Sequence, residues 1–229
     1  MKFSNLLVAL STASLSFLAH VSAQGQNVCG TREWDFSSPD QMQDFSVDWC
    51  PENAYIENGA MVLRLTSSCG TTVIYPHKLS SGRVEAVIRA GPTSGVVTAF
   101  IMQGDNPKDE LDLEWVGKDP HRVQSMYFVN GERVTGDELP GYHAAADSTQ
   151  KYYRYSIDFG PDHVVWRVNG ATVRTLEREE GRPFPSAANL LRIGVWDGSK
   201  NQEWAGLVDW KSQEAYYAYV EHLSITGFC

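Results

Sequence analysis

Short runs of apolar and β-branched residues recur from residue 60 to residue 225, and turn-forming residues separate them. The run 60–65 follows Asn58-Gly59, and a second Asn-Gly pair at 169–170 joins the runs 163–168 and 171–176. An Asn-Gly pair between two such runs favours the tight turn of a β-hairpin. About a dozen short strands with little helical periodicity predict an all-β domain, either a sandwich or a barrel. Only residues 202–211 are expected to form a short helix or a loop.

The composition excludes several classes of protein. Hydrophobic residues make up 42% of the chain and charged residues 21%, a balance that disfavours intrinsic disorder and coiled coils. The formal net charge is −9 and the sequence contains no cluster of Lys and Arg, so nucleic acid is not an expected partner. There is no glycine-rich phosphate loop, and we expect no cofactor.

Residues 1–23 have the pattern of a secretory signal peptide. Lys2 precedes an uncharged apolar run at 6–18, and Val21-Ser22-Ala23 offers small residues to a signal peptidase. The alternative interpretation is a buried first helix. No other apolar run approaches the ~20 residues of a membrane span. We therefore expect one secreted domain at residues 24–229, monomeric, without membrane association, in the extracellular space or the cell wall.

Four cysteines stand in the predicted domain: Cys29, Cys50, Cys69 and Cys229. An even number in a secreted chain suggests two disulfides, and three connectivities are possible. Cys50 and Cys69 are near in sequence and flank a strand-like run, which favours that pair. Cys29 and Cys229 would then join the two ends of the domain. No Cys-x-x-Cys or His-rich spacing occurs, so we expect no metal site.

The segment 109–115, Asp-Glu-Leu-Asp-Leu-Glu-Trp, alternates apolar and acidic side chains. At the period of a strand, one face carries Leu111, Leu113 and Trp115, and the other carries Glu110, Asp112 and Glu114. Like charges this close repel each other, so the pKa of at least one carboxyl group should be raised.

Three interpretations of the acidic face remain open from its spacing. A retaining glycosidase needs two carboxyl groups about 5–5.5 Å apart, and Glu110 and Glu114 would have to lean together to reach that distance. The row would also suit a solvated edge strand or a calcium site. The run 95–102 just before it is apolar on both faces, which indicates a central strand next door and argues against the edge.

The Glu-Leu-Asp-Leu-Glu motif at 110–114 resembles the Glu-x-Asp-x-Glu signature of glycoside hydrolase family 16. Further segments resemble the fungal Crh-type cell-wall transglycosylases of that family: 95–100, 166–170, 173–175, 204–206 and 209–210. The resemblance covers residues from about 30 to 225. It implies a concanavalin-like β-jelly-roll sandwich of two curved antiparallel sheets with a glycan cleft. It also implies that Glu110 is the nucleophile, Glu114 the general acid/base and Asp112 the assisting carboxylate.

Four further side chains are candidates for binding sugar. Trp196, Trp204 and Tyr127 offer aromatic faces, although a Trp or Tyr in a sandwich is often a core residue. Gln103 lies on the strand before the motif and is a candidate hydrogen-bonding partner for a hydroxyl group.

The resemblance implies a polysaccharide substrate, chitin and β-glucan, and double displacement that ends in hydrolysis or in transfer to another sugar chain. The alternatives are an endo-β-1,3(4)-glucan hydrolase of the same fold and a non-catalytic glycan-binding protein. Three crowded acids argue against the last, because a lectin does not need them.

Overall fold

The computed structural model describes residues 30–228. The predicted signal peptide at 1–23 and the predicted Cys29–Cys229 disulfide lie outside the described residues. The helices found among residues 30–228 are too short or too polar to span a lipid bilayer.

The described residues form fifteen strands and very little helix. The strands are β1 Gly30–Trp34, β2 Ser46–Asp48, β3 Ala54–Glu57, β4 Ala60–Thr66, β5 Thr71–Ile74, β6 Gly82–Arg89, β7 Val96–Gln103, β8 Glu110–Val116, β9 Arg122–Phe128, β10 Gly141–Ala144, β11 Tyr153–Phe159, β12 His163–Val168, β13 Ala171–Glu177, β14 Leu190–Asp197 and β15 Ala215–Gly227. One short α-helix, α1 (Gln202–Ala205), begins the segment predicted as a helix or loop. Three 3₁₀ turns span Pro39–Asp44, Pro51–Asn53 and Ser199–Asn201.

The strands pair into two antiparallel sheets that pack face to face. One has eight strands in the order β13-β12-β11-β6-β15-β4-β3, with β1 also paired to β15. The other has seven strands in the order β10-β9-β8-β7-β14-β5-β2. This is the predicted all-β sandwich, and strands distant in sequence lie side by side in both sheets.

The core lies between the sheets because alternate residues of each strand are apolar. In β6, Val84, Ala86 and Ile88 are fully buried, while the residues between them are partly exposed. Trp115 of β8 meets Tyr155 of β11 edge to face, with ring centroids 4.5 Å apart. This contact shows that the apolar face of β8 points into the core and that its acidic face points outward.

Two Asn-Gly pairs make the tight turns that their sequence predicts. Asn58 and Gly59 have φ of 53° and 75°, and they connect β3 to β4. Asn169 and Gly170 have φ of 49° and 80° between β12 and β13. Both residues of a type I′ turn require positive φ, which Asn and Gly adopt most readily.

Candidate active site

Strand β8 places the three acidic side chains on the outer face of the seven-stranded sheet. Their neighbours Leu111 and Leu113 are fully buried in the core. β8 pairs with β7 on one side and with β9 on the other. The interpretation of the row as a solvated edge strand is therefore wrong, because β8 is the third strand from one edge of a seven-stranded sheet.

Asp112, in the middle of the row, is only 2% exposed. Burial raises the pKa of its carboxyl group well above the usual range, and the charges of Glu110 and Glu114 raise it further. A hydrogen bond with the Glu110 side chain acts in the same direction. Asp112 therefore holds its proton more tightly than an ordinary aspartate.

Glu114 also holds its proton more tightly than an ordinary glutamate. Burial is the main cause, the charge of Glu110 is the second, and together they raise the pKa of Glu114 to about 7. A carboxyl group with a pKa near the working pH is suited to general acid and base catalysis. The prediction that at least one member of the acidic row has a raised pKa is thus met twice, at Asp112 and at Glu114.

Gln103 contacts the first acid of the row. It lies directly across from Glu110 in the pairing of β7 with β8, and its Nε2 donates a hydrogen bond to Glu110 Oε2. This bond orients the Glu110 carboxylate. Gln103 therefore acts on the candidate nucleophile directly, whereas the sequence suggested only a contact with a sugar hydroxyl.

A cleft crosses the outer face of the sheet and passes over the acidic row. Its first half has a volume of about 440 Å³ and extends across β7, β14 and β5 to β2. Its second half, about 360 Å³, extends over β9 to β10. Three residues line both halves: Glu110, Glu114 and Trp196. The carboxylates therefore stand in the middle of an elongated groove, as cleavage inside a chain-like substrate requires.

The two predicted tryptophans lie together in this cleft. Trp196 of β14 and Trp204 of α1 stack with ring centroids 5.7 Å apart and an interplanar angle of 30°. The Nε1 of Trp204 donates a hydrogen bond of 2.8 Å to Oε1 of Gln124. Both indoles are partly exposed, so they offer apolar surface to a ligand beside the acidic row.

The prediction that Tyr127 stacks against sugar is wrong. Tyr127 is fully buried, and it pairs across the strands with Leu111, a core residue. The register puts Tyr127 on the inner face of β9, where the Arg174 guanidinium lies 5.3 Å from its ring centroid. The outer face of β9 carries Gln124, Met126 and Phe128, which line the second half of the cleft.

Several lining residues were missed by the sequence analysis. On the first side they are Asp48, Trp49, Thr72, Ala99, Ile101, Arg192 and Gly194. On the second side they are Gln124, Met126, Phe128, Arg133, Pro140, Tyr142 and Asn201. The outer face of β9 carries every second residue: Gln124, Met126 and Phe128. The pairing register of β9 with β8, if it had been known, would have placed these three residues beside the acidic row. Trp49 and Tyr142 have no such local signal.

Asp109, the residue before the acidic row, holds two loops with its buried carboxylate. Its Oδ1 accepts a hydrogen bond of 2.9 Å from the backbone N–H of Asn130, and its Oδ2 accepts one of 2.9 Å from that of Ala187. Asp109 is 2% exposed. The start of β8 is thus tied to the turn after β9 and to the segment that leads into β14.

Cys50 and Cys69 form a disulfide, the pairing favoured from their positions in the sequence. It connects the segment after β2 to the segment before β5, at the far end of the first half of the cleft. Among residues 30–228, no group of three or more His, Cys, Asp or Glu side chains is arranged to hold a metal ion.

Comparison with known proteins gives a family and a set of relatives. The model of the family described as Glycosyl hydrolases family 16 matches residues 41–212, which include the acidic row and both stacked tryptophans. Crh-like protein CRH11 of Candida albicans is 36% identical over 129 residues, which cover 56% of this chain and 28% of that protein. Congo red hypersensitive protein 1 of Saccharomyces cerevisiae is 30% identical over 153 residues, covering 64% of this chain and 30% of that protein. The chain thus spans less than a third of the length of these two relatives.

Solved structures have the same fold. The Crh5 transglycosylase in complex with NAG superposes with a TM-score of 0.79 at 27% identity, over 90% of this chain and 87% of that one. The Bacillus licheniformis beta-glucanase superposes with a TM-score of 0.74 at 21% identity, over 88% of this chain and 100% of that one. These likenesses confirm the predicted jelly-roll sandwich of two antiparallel sheets.

Proposed function

Because this chain belongs to glycosyl hydrolase family 16, we propose that it is a retaining glycosidase or transglycosylase that acts on cell-wall β-glucan and chitin. The observation that supports the proposal best is the row of Glu110, Asp112 and Glu114 in the middle of an open cleft. Crowding three acids around a buried Asp112 costs stability, and a protein that only binds sugar gains nothing from raised carboxyl pKa values. Double displacement requires groups of this kind.

In the first step, Glu110 attacks the anomeric carbon of the donor sugar while Glu114 protonates the leaving glycosidic oxygen. The C–O bond to the leaving chain breaks, an ester bond to Glu110 forms, and the proton of Glu114 leaves with the departing hydroxyl group. A hydrogen bond joins the Asp112 side chain to Glu110 and helps to orient the nucleophile. Gln103 holds the Glu110 carboxylate from the other side.

In the second step, Glu114 acts as the base. It removes the proton of an incoming hydroxyl group, whose oxygen attacks the anomeric carbon and releases Glu110. Water as the acceptor gives hydrolysis, and the hydroxyl group of another sugar chain gives transglycosylation. The half of the cleft left by the departing chain can hold such an acceptor. We assign stacking on the sugar to Trp196 and Trp204, which line the second half of the cleft with Glu114.

We further propose that the protein is exported to the cell wall after removal of residues 1–23 and acts there as a monomer. The charge pattern supports this setting, since an acidic chain without a basic cluster suits a neutral polysaccharide better than a nucleic acid. Secretion is tested by expressing the full chain and sequencing the N-terminus of the protein recovered from the culture medium. An N-terminus at Gln24 supports the proposal, and retention in the cell contradicts it.

The activity is tested by mass spectrometry of reaction products. The purified protein is incubated with β-1,3-glucan and chitin oligosaccharides and a labelled acceptor, beside the Glu110→Gln variant. Labelled hybrid chains from the wild type alone support transglycosylation. Shortened donors without transfer of label identify a hydrolase. Binding without turnover on any of these glycans contradicts the enzyme proposal and leaves a glycan-binding protein.

A further inference from the structure

Trp49 is the most conspicuous apolar side chain in the first half of the cleft. It is 71% exposed, a large fraction for an indole, and it lines the same cavity as Glu110 and Glu114. Most exposed apolar residues need no explanation, but one that borders a substrate cleft marks a contact surface. The sequence analysis gave Trp49 no role, and it lies outside the segments that resemble the family motifs.

The backbone at Trp49 is held in an unfavourable conformation. Trp49 and Cys50 have φ of 58° and 38°, both in the left-handed region that residues with a Cβ rarely adopt. The Cys50–Cys69 disulfide holds this turn, and Asn53, 3% exposed, donates a hydrogen bond of 3.0 Å to the carbonyl of Cys69. Strained residues maintained by their surroundings are common at ligand-binding sites. Here the strain sets the position of one exposed indole.

The surface between Trp49 and the acidic row carries small side chains that leave room for an extended chain to lie on it. Its lining includes the small residues Thr72, Ala99 and Gly194. A Cβ atom at Gly194 would stand 2.7 Å from Thr72 Oγ1, so this position admits no larger side chain without a shift. Arg192 lies at the border and pairs with Asp48 at 3.3 Å and with Asp105 at 3.6 Å.

Trp49 stands several sugar units away from the bond that is cleaved. It follows β2, which is four strand positions from β8 in the sheet order. With neighbouring strands ~4.8 Å apart, the path along the sheet is roughly 19 Å. A ligand that contacts both Trp49 and Glu110 must therefore be an extended chain.

We propose that Trp49 is a remote sugar-stacking residue that makes the protein selective for long polysaccharide chains over short oligosaccharides. The inference rests on the proposed function, because it concerns the substrate of the same cleft. Its occupant is a neutral β-linked chain whose ring face packs on the indole. The disulfide and the strained turn hold the indole in place before the substrate arrives, which reduces the ordering that binding requires.

The test compares Trp49→Ala with the wild type on β-1,3-glucan and chitin oligosaccharides of increasing length. For chains long enough to reach β2, we expect the KM to rise about tenfold more than for the shortest substrate. Trp49→Phe keeps an aromatic face and should restore most of the loss. Phe228→Ala is the matched control, since Phe228 is a 47% exposed aromatic residue that follows β15 of the other sheet.

Binding to the Glu110→Gln protein, measured by calorimetry with and without Trp49→Ala, separates this inference from the proposed function. A loss of affinity that grows with chain length supports the role of Trp49. It does so even if the wild type has no turnover, because absence of turnover contradicts the proposed enzymatic function and leaves the inference about Trp49 standing. An equal loss at all lengths, or no loss, overturns the inference. Failure to bind any of these glycans overturns both.

Discussion

The indole Nε1 of Trp204 donates a hydrogen bond of 2.8 Å to Oε1 of Gln124, and this bond joins α1 to β9 beside the acidic row. Gln124 is the cross-strand partner of Glu114, and its side chain lines the second half of the cleft. Because the carbonyl oxygen of the amide accepts from Trp204, the amide nitrogen points elsewhere. Trp204 therefore sets which hydrogen-bonding group of Gln124 faces a substrate next to Glu114.

Trp204→Phe should weaken substrate binding although an aromatic ring remains. The variant loses the N–H donor, so the Gln124 amide is free to rotate. We expect this to cost about 1 kcal/mol of substrate-binding free energy, or a roughly fivefold higher KM. Gln124→Leu should have a similar effect, and the double variant should be little worse than either single one, because both changes remove the same interaction. Steady-state kinetics on one oligosaccharide checks this. Effects that simply add would show that the two residues act separately.

The activity should depend on the proton of Glu114. In its proposed role as an acid Glu114 must be protonated, and burial raises its pKa to about 7. We expect kcat/KM to fall as the pH rises through about 7. The decrease of kcat/KM at high pH should be absent in Glu114→Gln, which should also lose most of its activity. Azide added as an external nucleophile should restore turnover of a substrate with a good leaving group. If kcat/KM of this variant still decreases as the pH rises through about 7, the decrease must be due to the titration of another group.

The same raised pKa makes stability depend on pH. The pKa of Glu114 is about 7 in the folded protein and 4.5 in the reference state. Between these values the folded chain keeps a proton that the unfolded chain has lost, so stability decreases as the pH rises through this window. Glu114→Gln removes this contribution, so its Tm relative to the wild type should rise from pH 4.5 to 7. Thermal unfolding at several pH values measures this, and a constant difference would contradict it.

Asp158 should be essential for stability and irrelevant to the cleft. It is 6% exposed on the outer face of the eight-stranded sheet, and it pairs with Arg83 and Arg167. The Nη2 of Arg83 donates a hydrogen bond of 2.8 Å to its Oδ2. The Arg83 side chain is 41% exposed and that of Arg167 22%, so removing their shared partner costs less than in a fully buried pair, about 1.5–3 kcal/mol. We therefore expect Asp158→Ala to lower the Tm strongly while the KM of the remaining folded enzyme is unchanged.

The contrast between Leu111 and Tyr127 explains what could be predicted from the sequence. The alternation at 110–115 is strict, so it indicated at once which side chains enter the core and which form the acidic row. In β9 both alternating sets contain apolar residues, and only the pairing of Tyr127 with Leu111 places its ring inside. Local pattern decides the face of a strand when the two faces differ in polarity, and tertiary register decides it otherwise.

The position of Trp49 could not be predicted for a different reason. Strand β2 has only three residues, and it reaches the cleft by pairing with β5 at the edge of the sheet. That pairing depends on sheet order, which connects segments far apart in the chain. The Cys50–Cys69 disulfide could be predicted because the two cysteines are close in sequence. Its effect on the position of the Trp49 indole could not, because that position depends on the left-handed backbone conformation of Trp49 and Cys50.

Asp109→Asn should reduce both stability and turnover. The side chain of Asn offers one acceptor where Asp109 offers two, so the backbone N–H of Asn130 or of Ala187 loses its partner. A hydrogen bond to a charged group contributes about 1.5–3 kcal/mol, and its loss corresponds to a Tm lower by about 3–12 °C. Because Asp109 immediately precedes Glu110, we expect kcat to fall more than KM rises.

Asp105→Asn is the matched control for this prediction, because Asp105 lies in the same β7–β8 connection with a side chain that is 56% exposed. It should change the Tm by less than about 2 °C. Hydrogen exchange at the amides of Asn130 and Ala187 then identifies which loop is released, since the amide that has lost its acceptor exchanges faster. If Asp109→Asn lowers the Tm without changing kcat, Asp109 stabilises the loops alone and does not position Glu110, the proposed nucleophile.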